Sequence, residues 1–303
     1  MKARRLGIQG PQISAVGLGC AGLSWAYSES SRDDDVSVAV IHSALDHGVT
    51  FFDTADSYGG GHNEELVGRA LRRHRHEVTL ASKVGLRPGP GGLHPDGRPD
   101  HIETAIDATL YRLGDDVVDL YYLHQVDPDV PLADTWGAMA SLVEKGKVRH
   151  LGLCEVTPEQ AAEAHSIHPV TAIQSEFSLW TREPLEAGVL DWCRENDATF
   201  VPFAPLGRGS LTGAVTATRA LAGDAAEPPN RALGLLREVA GRHWATPAQV
   251  ALAWVLAQGE HVVPIPGTKH RRYLQENVGA ARIELTPEDL DDLATAPVVA
   301  TVR

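Results

Sequence analysis

The sequence predicts an α/β fold, a (β/α)8 TIM barrel with a short N-terminal β-hairpin, spanning residues 1–303 as a single domain. Three observations carry this. Short apolar, β-branched runs recur about eight times, each followed by a polar or glycine-rich turn and then an amphipathic stretch. No shift in composition divides the chain. Its 303 residues, 43% of them hydrophobic, suffice for one large core of the length such barrels have. A doubly wound sheet is the alternative that the same repeat allows.

The elements follow in order. "RRLGIQGPQIS" (4–14) reads as the hairpin, with Gly10-Pro11 in its turn. The first four strand runs are "AVGLGC" (15–20), "TFFDTA" (50–55), "VTLASKV" (78–84) and "VDLYYLH" (118–124). Then come "HLGLCEV" (150–156), "TAIQSEF" (171–177), "TFVPFAP" (199–205) and "VVPIPGT" (262–268). Between them, stretches such as "DVSVAVIHSALDHG" and "HIETAIDATLYRLG" repeat apolar residues at helical spacing. Thr157-Pro158 and Thr246-Pro247 place a capping residue before a proline in the first helical turn. Residues 85–100 and 206–231 are long, rich in Gly, Pro and Ala, and follow strands on the face where loops bind or cover ligands. "GLGCAG" (17–22) matches G-x-G-x-x-G, but the polar "LSWAYSESSRDDD" follows where a dinucleotide fingerprint needs a helix. It reads instead as a strand whose glycines admit a close neighbour.

A net charge of −13 with no basic stripe argues against phosphate-backbone binding. Cys20, Cys154 and Cys193 are too few and odd in number for a disulfide framework, which points to a reducing compartment. "MKARRLGIQG" lacks the apolar core of a signal peptide, and no apolar run reaches membrane-spanning length. The expectation is a cytoplasmic protein without nucleic-acid or membrane partners. No metal ligands are assigned.

In a barrel, chemistry sits at the C-terminal ends of strands. Those ends offer Asp53 with Tyr58 in the following loop, then Lys83, His124, Gln174 and Thr268-Lys269. Lysine is scarce here, five against 22 arginines, and a strand lysine is costly to bury unless paired. Asp53 on the neighbouring strand is its natural partner. Singly, these residues fit a structural ion pair, a core histidine and a loop aromatic. Together they fit proton delivery. A phenol is a reluctant acid, an ammonium beside it favours phenolate, and a neutral imidazole orients a carbonyl oxygen. That is half of carbonyl reduction; the hydride needs a cofactor.

Seven stretches resemble the aldo-keto reductase family in order along nearly the whole chain. They are "GVTFFDTADSYGGGHNEELVGRAL", "LASKVG", "DLYYLH", "KGKVRHLGLCEV", "IQSEFSLWTRE", "FVPFAPLGRGSLTG" and "VVPIPGTKHRRYLQEN". The resemblance implies a barrel that binds nicotinamide cofactor and reduces an aldehyde or ketone. It implies that Asp53, Tyr58, Lys83 and His124 are the family tetrad, with Tyr58 as general acid. It assigns Gln174 to the carboxamide, with Cys154 and Glu155 beside it, and Phe177 to stacking on the nicotinamide ring. Pro205, Leu206, Gly207, Arg208 and Gly209 match the loop over the pyrophosphate. Gly267, Thr268 and Lys269 match the 2′-phosphate site, with further positive charge from Arg271 and Arg272; Gln275 and Asn277 match the adenine site. This cationic cluster favours NADPH over NADH. Trp25 and Tyr27, with Tyr58 and His124, are expected to line the substrate pocket.

Two departures stand out. Cys154 replaces the serine that the family commonly has there, and a thiol is a weaker donor. Residues 211–231 are shorter and richer in alanine than the usual segment. Two other functions share this fold: a cofactor-sensing regulatory subunit with little turnover, and a Schiff-base enzyme using a neutral Lys83, which Asp53 opposes.

Overall fold

The structure, a computed structural model, describes residues 1–24, 32–213 and 230–298. Strands β1 (Ala3–Arg5) and β2 (Gln12–Ser14) form the antiparallel hairpin. Leu6 and Ile13 are buried in the barrel's interior cluster, and Arg4 donates to the carbonyls of Leu256 and Val262, so the hairpin plugs one end.

Strands β3 (Leu18–Gly19), β4 (Phe51–Asp53) and β5 (Thr79–Val84) follow. The region expected as a long loop at 85–100 instead folds into a second hairpin, β6 (Leu86–Gly89) with β7 (Gly92–Pro95). The sheet resumes with β8 (Val118–Leu123), β9 (Val148–Cys154), β10 (Ala172–Glu176) and β11 (Thr199–Phe203). Seven strands pair in parallel in the order β11-β10-β9-β8-β5-β4-β3.

Residues 262–265 close the barrel. Val263 and Ile265 donate to Phe200 and Pro202 on β11, at 2.8 and 3.0 Å, and Gly17 beside β3 donates to Pro264 at 2.9 Å. The ladder toward β3 is incomplete because Pro264 and Pro266, whose nitrogens would donate there, carry no N–H. The glycines at 17 and 19 serve this closure: a Cβ on Gly19 would lie 2.7 Å from the Ile265 carbonyl oxygen. The residues directly after them, Ala21–Leu23, form a 3-10 turn.

The helices are α1 (Asp34–Asp46), α2 (His62–Leu71), α3 (Pro99–Leu113), α4 (Leu132–Glu144), α5 (Pro158–Ile167), α6 (Glu183–Glu186) and α7 (Val189–Glu195). They continue with α8 (Asn230–Arg242), α9 (Pro247–Leu256), α10 (Arg271–Gly279) and α11 (Pro287–Ala294). Thr157 and Thr246 each form a capping box, with Gln160 and Gln249, as the Thr-Pro pairs predicted. None of the described helices is long and apolar enough to cross a membrane.

Strand pleating divides the side chains into two layers. Phe51, Ala81, Leu120, Tyr122, Ala172 and Val201 fill the barrel interior. Phe52, Leu80, Tyr121, Ile173 and Phe200 pack outward into the larger core between strands and helices. The same alternation decides which residues reach the barrel mouth.

Candidate active site

Asp53, Lys83, His124, Cys154 and Gln174 each continue an inward-facing row at the C-terminal end of a strand. Lys83 is fully buried and Asp53 is 2% exposed. The Lys83 ammonium binds Asp53 Oδ1, donates to the Thr54 carbonyl at 2.8 Å and to the Tyr58 hydroxyl at 3.3 Å. Asp53 Oδ2 accepts from Gln174 Nε2 at 2.9 Å. Tyr58 opens a turn in which Gly59, Gly60 and Gly61 all have positive φ, which folds its ring back over Lys83, 5.0 Å from ring centre to nitrogen. His124 meets that ring edge-on at 5.8 Å, and Ser57 Oγ lies 3.5 Å from its Nδ1. The structure thus brings together all four members of the expected tetrad.

The electrostatics differ from the sequence expectation at one point. Burial acts most strongly on Lys83 and opposes its charge, but Asp53 and then Tyr58 carry its pKa above the ordinary value. A lysine so held is the reverse of the neutral amine that a Schiff base needs. For Tyr58, burial outweighs the pull of Lys83, and its pKa is pushed up to about 12 rather than down. The phenol therefore keeps its proton at neutral pH, and Lys83 limits a rise that burial would otherwise drive further. Burial, then the charge of Lys83, pushes His124 well below its usual range, so its imidazole is neutral.

The surrounding residues fall into groups. Cys154 is 3% exposed in the barrel interior, and burial drives its thiol upward, so it is a protonated thiol. Glu155 has φ 54°, and its Oε1 accepts from the Glu176 N–H at 2.7 Å. Pro205 is buried, and Leu206 precedes a turn in which Gly207, Arg208 and Gly209 have φ of 56°, 54° and 98°. Arg208 pairs with Glu176 at 2.8 Å, tying this turn to the end of β10. Next in the chain, Ser210 Oγ is sealed from solvent with no hydrogen-bond partner among the described residues.

Gly267, Thr268 and Lys269 follow the closing strand; the Thr268 hydroxyl accepts from His270 N–H at 3.1 Å, turning the chain into α10. Arg271 and Arg272 are exposed, and Asn277 is buried. Arg272 and Gln275 line a cavity of about 450 Å³ with His47, Gln249 and Arg282, away from the tetrad. Trp25 and Tyr27 lie outside the described residues, as do 214–229 of the second long loop.

Phe177 does not reach the site. It points outward from the end of β10, fully buried, stacked on Trp254 at 5.5 Å and edge-on to Phe200 at 5.6 Å. The pleat explains this: Gln174 faces in, so Phe177, three residues on, faces out. Phe203, at the end of β11, is an inward-facing aromatic half-buried against the interior cluster. Period-two alternation from Val201 was the signal that would have found it.

An unpartnered hydroxyl at Ser210, a turn with three consecutive positive φ values and a half-buried aromatic at the mouth fit a nicotinamide dinucleotide. Comparison with known proteins agrees. The Aldo/keto reductase family model matches residues 15–296. A probable aldo-keto reductase 1 of Glycine max is 40% identical, over 98% of this chain and 89% of its own length. The aldo-keto reductase yakc of Schizosaccharomyces pombe, whose name carries NADP(+), is 39% identical over 94% and 88%. Among solved structures, the holo form of an aldo-keto reductase from Bacillus halodurans superposes with a TM-score of 0.84 at 29% identity, covering 99% of this chain and 98% of its own. A thermostable aldo-keto reductase in complex with the inhibitor epalrestat gives 0.82 at 32%, covering 98% and 100%. The chain belongs to the aldo-keto reductase family and is an NAD(P)H-dependent oxidoreductase acting on a small-molecule carbonyl group.

Proposed function

We propose that the protein reversibly reduces an aldehyde or ketone to an alcohol with NADPH as the preferred cofactor and Tyr58 as the proton donor. One observation carries the reading: the Tyr58 hydroxyl lies 3.3 Å from an ammonium that a buried carboxylate holds charged. Bound NADPH supplies the hydride, which side chains cannot. As negative charge grows on the carbonyl oxygen, Tyr58 gives it a proton, and Lys83 stabilises the oxygen that Tyr58 is left with. Neutral His124 orients the carbonyl oxygen toward Tyr58. Asp53 holds Lys83 in place and charged.

For the cofactor, Gln174, Cys154 and Glu155 would hold the carboxamide, and Phe203 supports a ring contact in place of Phe177. Residues 205–209 would lie along the pyrophosphate. Thr268, Lys269 and Arg272 would meet the 2′-phosphate, with Gly267 allowing close approach, and Gln275 and Asn277 would meet the adenine. Tyr58 and His124 belong to the proposed substrate pocket. The whole of 1–303 is read as one barrel domain serving both ligands. Three unpaired, buried cysteines support a reducing, cytoplasmic setting.

The test is a panel of carbonyl substrates assayed by loss of reduced-nicotinamide absorbance with NADPH and with NADH. Turnover with NADPH at lower KM supports the reading. No turnover across aldehydes and ketones, with cofactor bound, would leave a sensing subunit as the better account.

A further inference from the structure

On the outer face of β5, behind Lys83, lies a buried polar cluster that the proton chemistry does not use. Glu64 of α2 is completely buried. Its Oε1 accepts from Ser82 Oγ at 2.5 Å, and its Oε2 from Arg112 Nε at 2.6 Å. Desolvation offsets much of the attraction in a buried ion pair, so stability alone is a poor reason for one. The positions of its partners supply a better one.

Ser82 precedes Lys83, and the pleat sends Lys83 into the barrel and Ser82 out to Glu64. Arg112, in the last turn of α3, packs under the turn that carries Tyr58: a Cβ on Gly61 would lie 2.6 Å from Arg112 Cδ. That turn is three glycines long and has no side chains of its own to brace it. Asp56 completes the cluster, its N–H bonded to the Lys83 carbonyl at 3.3 Å and its Oδ1 without a hydrogen-bond partner among the described residues. Glu64 is therefore joined on one side to the strand that bears the ammonium and on the other to the support of the turn that bears the phenol.

We propose that Glu64 is a positioning residue for carbonyl reduction: by binding Ser82 and Arg112 together, it sets the distance between the Tyr58 hydroxyl and the Lys83 ammonium. The inference rests on Tyr58 being the proton donor. Misplacing a reacting group by about 1 Å costs on the order of 10²-fold in rate, so a brace this close has leverage.

Glu64→Gln keeps the volume and an acceptor but removes the charge that orients Arg112. Single-turnover reduction should slow by about 10–100-fold while the NADPH Kd stays within about twofold. The distinguishing measurement is a cycle with Tyr58→Phe. With the phenol hydroxyl gone there is nothing left to position, so Glu64→Gln should add less than about twofold. A general structural role would slow both backgrounds by the same factor, and that result overturns the proposal. Should Glu64→Gln fail to fold, Ser82→Ala cuts only the link to β5 and serves in the same cycle. Its expected loss is about 3–10-fold, vanishing in the Tyr58→Phe background; equal losses again overturn it. If Tyr58→Phe is slow but Glu64→Gln and Ser82→Ala run at wild-type rate, the positioning role falls alone. If Tyr58→Phe keeps the wild-type rate, the proton-donor reading falls first.

Discussion

Replacing Asp53 with asparagine removes one charge and almost no volume. In the native barrel the carboxylate is shared between Lys83 at Oδ1 and Gln174 at Oδ2. Burial is the largest influence on Lys83 and works against its charge; Asp53 is the next largest and reverses the outcome. In Asp53→Asn, burial is left dominant, and the Lys83 pKa should drop below its ordinary 10.5. Buried lysines reach as low as about 5–6. Two consequences follow, each with a definite sign. In the wild type the raised Lys83 pKa contributes stability at every pH below the unfolded value, lost only as pH rises through the folded one. In the variant the unfolded chain binds the proton more tightly, so stability should fall as pH falls. With Lys83 charged and unpaired, the cost is about 3–5 kcal/mol. The second consequence is kinetic. Above its lowered pKa, Lys83 is neutral and no longer stabilises the oxygen of Tyr58, so the variant's rate should decline with rising pH where the wild type is flat. Urea unfolding and single-turnover reduction at about pH 6 and pH 9 read both effects. A variant whose stability deficit is the same at both pH values, with a rate profile parallel to the wild type, would refute the claim that Asp53 holds Lys83 charged.

Other outcomes follow from the same geometry. Cys154→Ser restores a stronger donor where the carboxamide is proposed to sit, and cofactor binding should tighten by roughly 0.5–1.5 kcal/mol in a titration; unchanged or weaker binding would mark the thiol as packing. Lys269→Ala should weaken NADPH by about tenfold or more and leave NADH nearly untouched, an effect that shrinks at high salt; a parallel change in both dissociation constants would remove the phosphate contact. Asp56 is raised to about 7, first by burial and then by Glu64, and it also feels Arg112, Lys83 and Tyr121. The folded state holds this proton more tightly than the unfolded chain, so the wild type should lose stability as pH rises from about 4 to 7, by roughly 2–4 kcal/mol for a partly open side chain. Asp56→Asn should flatten that dependence in thermal unfolding; an unaltered slope would place the titration elsewhere.

The meeting of Asp53, Tyr58, Lys83 and His124 is legible in the sequence because each stands at or just past a strand end, where a barrel directs its chemistry. Lys83 and Asp53 could be paired from sequence because neighbouring parallel strands in similar register bring inward residues together. The family motif places Phe177 at the nicotinamide ring, whereas strand alternation points it outward at Trp254. Glycine and proline dominate residues 86–95 and give the sequence the look of a loop, yet the hairpin's ladder needs only four residues on each side. The direction of the Tyr58 shift depends on burial, which no local pattern reports. Glu64 and Arg112 are 48 positions apart, and each reads locally as a helix charge; only packing shows that they meet.

The central claim is that Tyr58 delivers the proton, and Tyr58→Phe tests it most directly. The substitution keeps the ring that packs on His124 and leaves the Lys83–Asp53 pair intact, removing only the hydroxyl. Single-turnover reduction with saturating NADPH should fall by about 10²–10⁴-fold, with the NADPH dissociation constant little changed. A rate near that of the wild type would contradict the account.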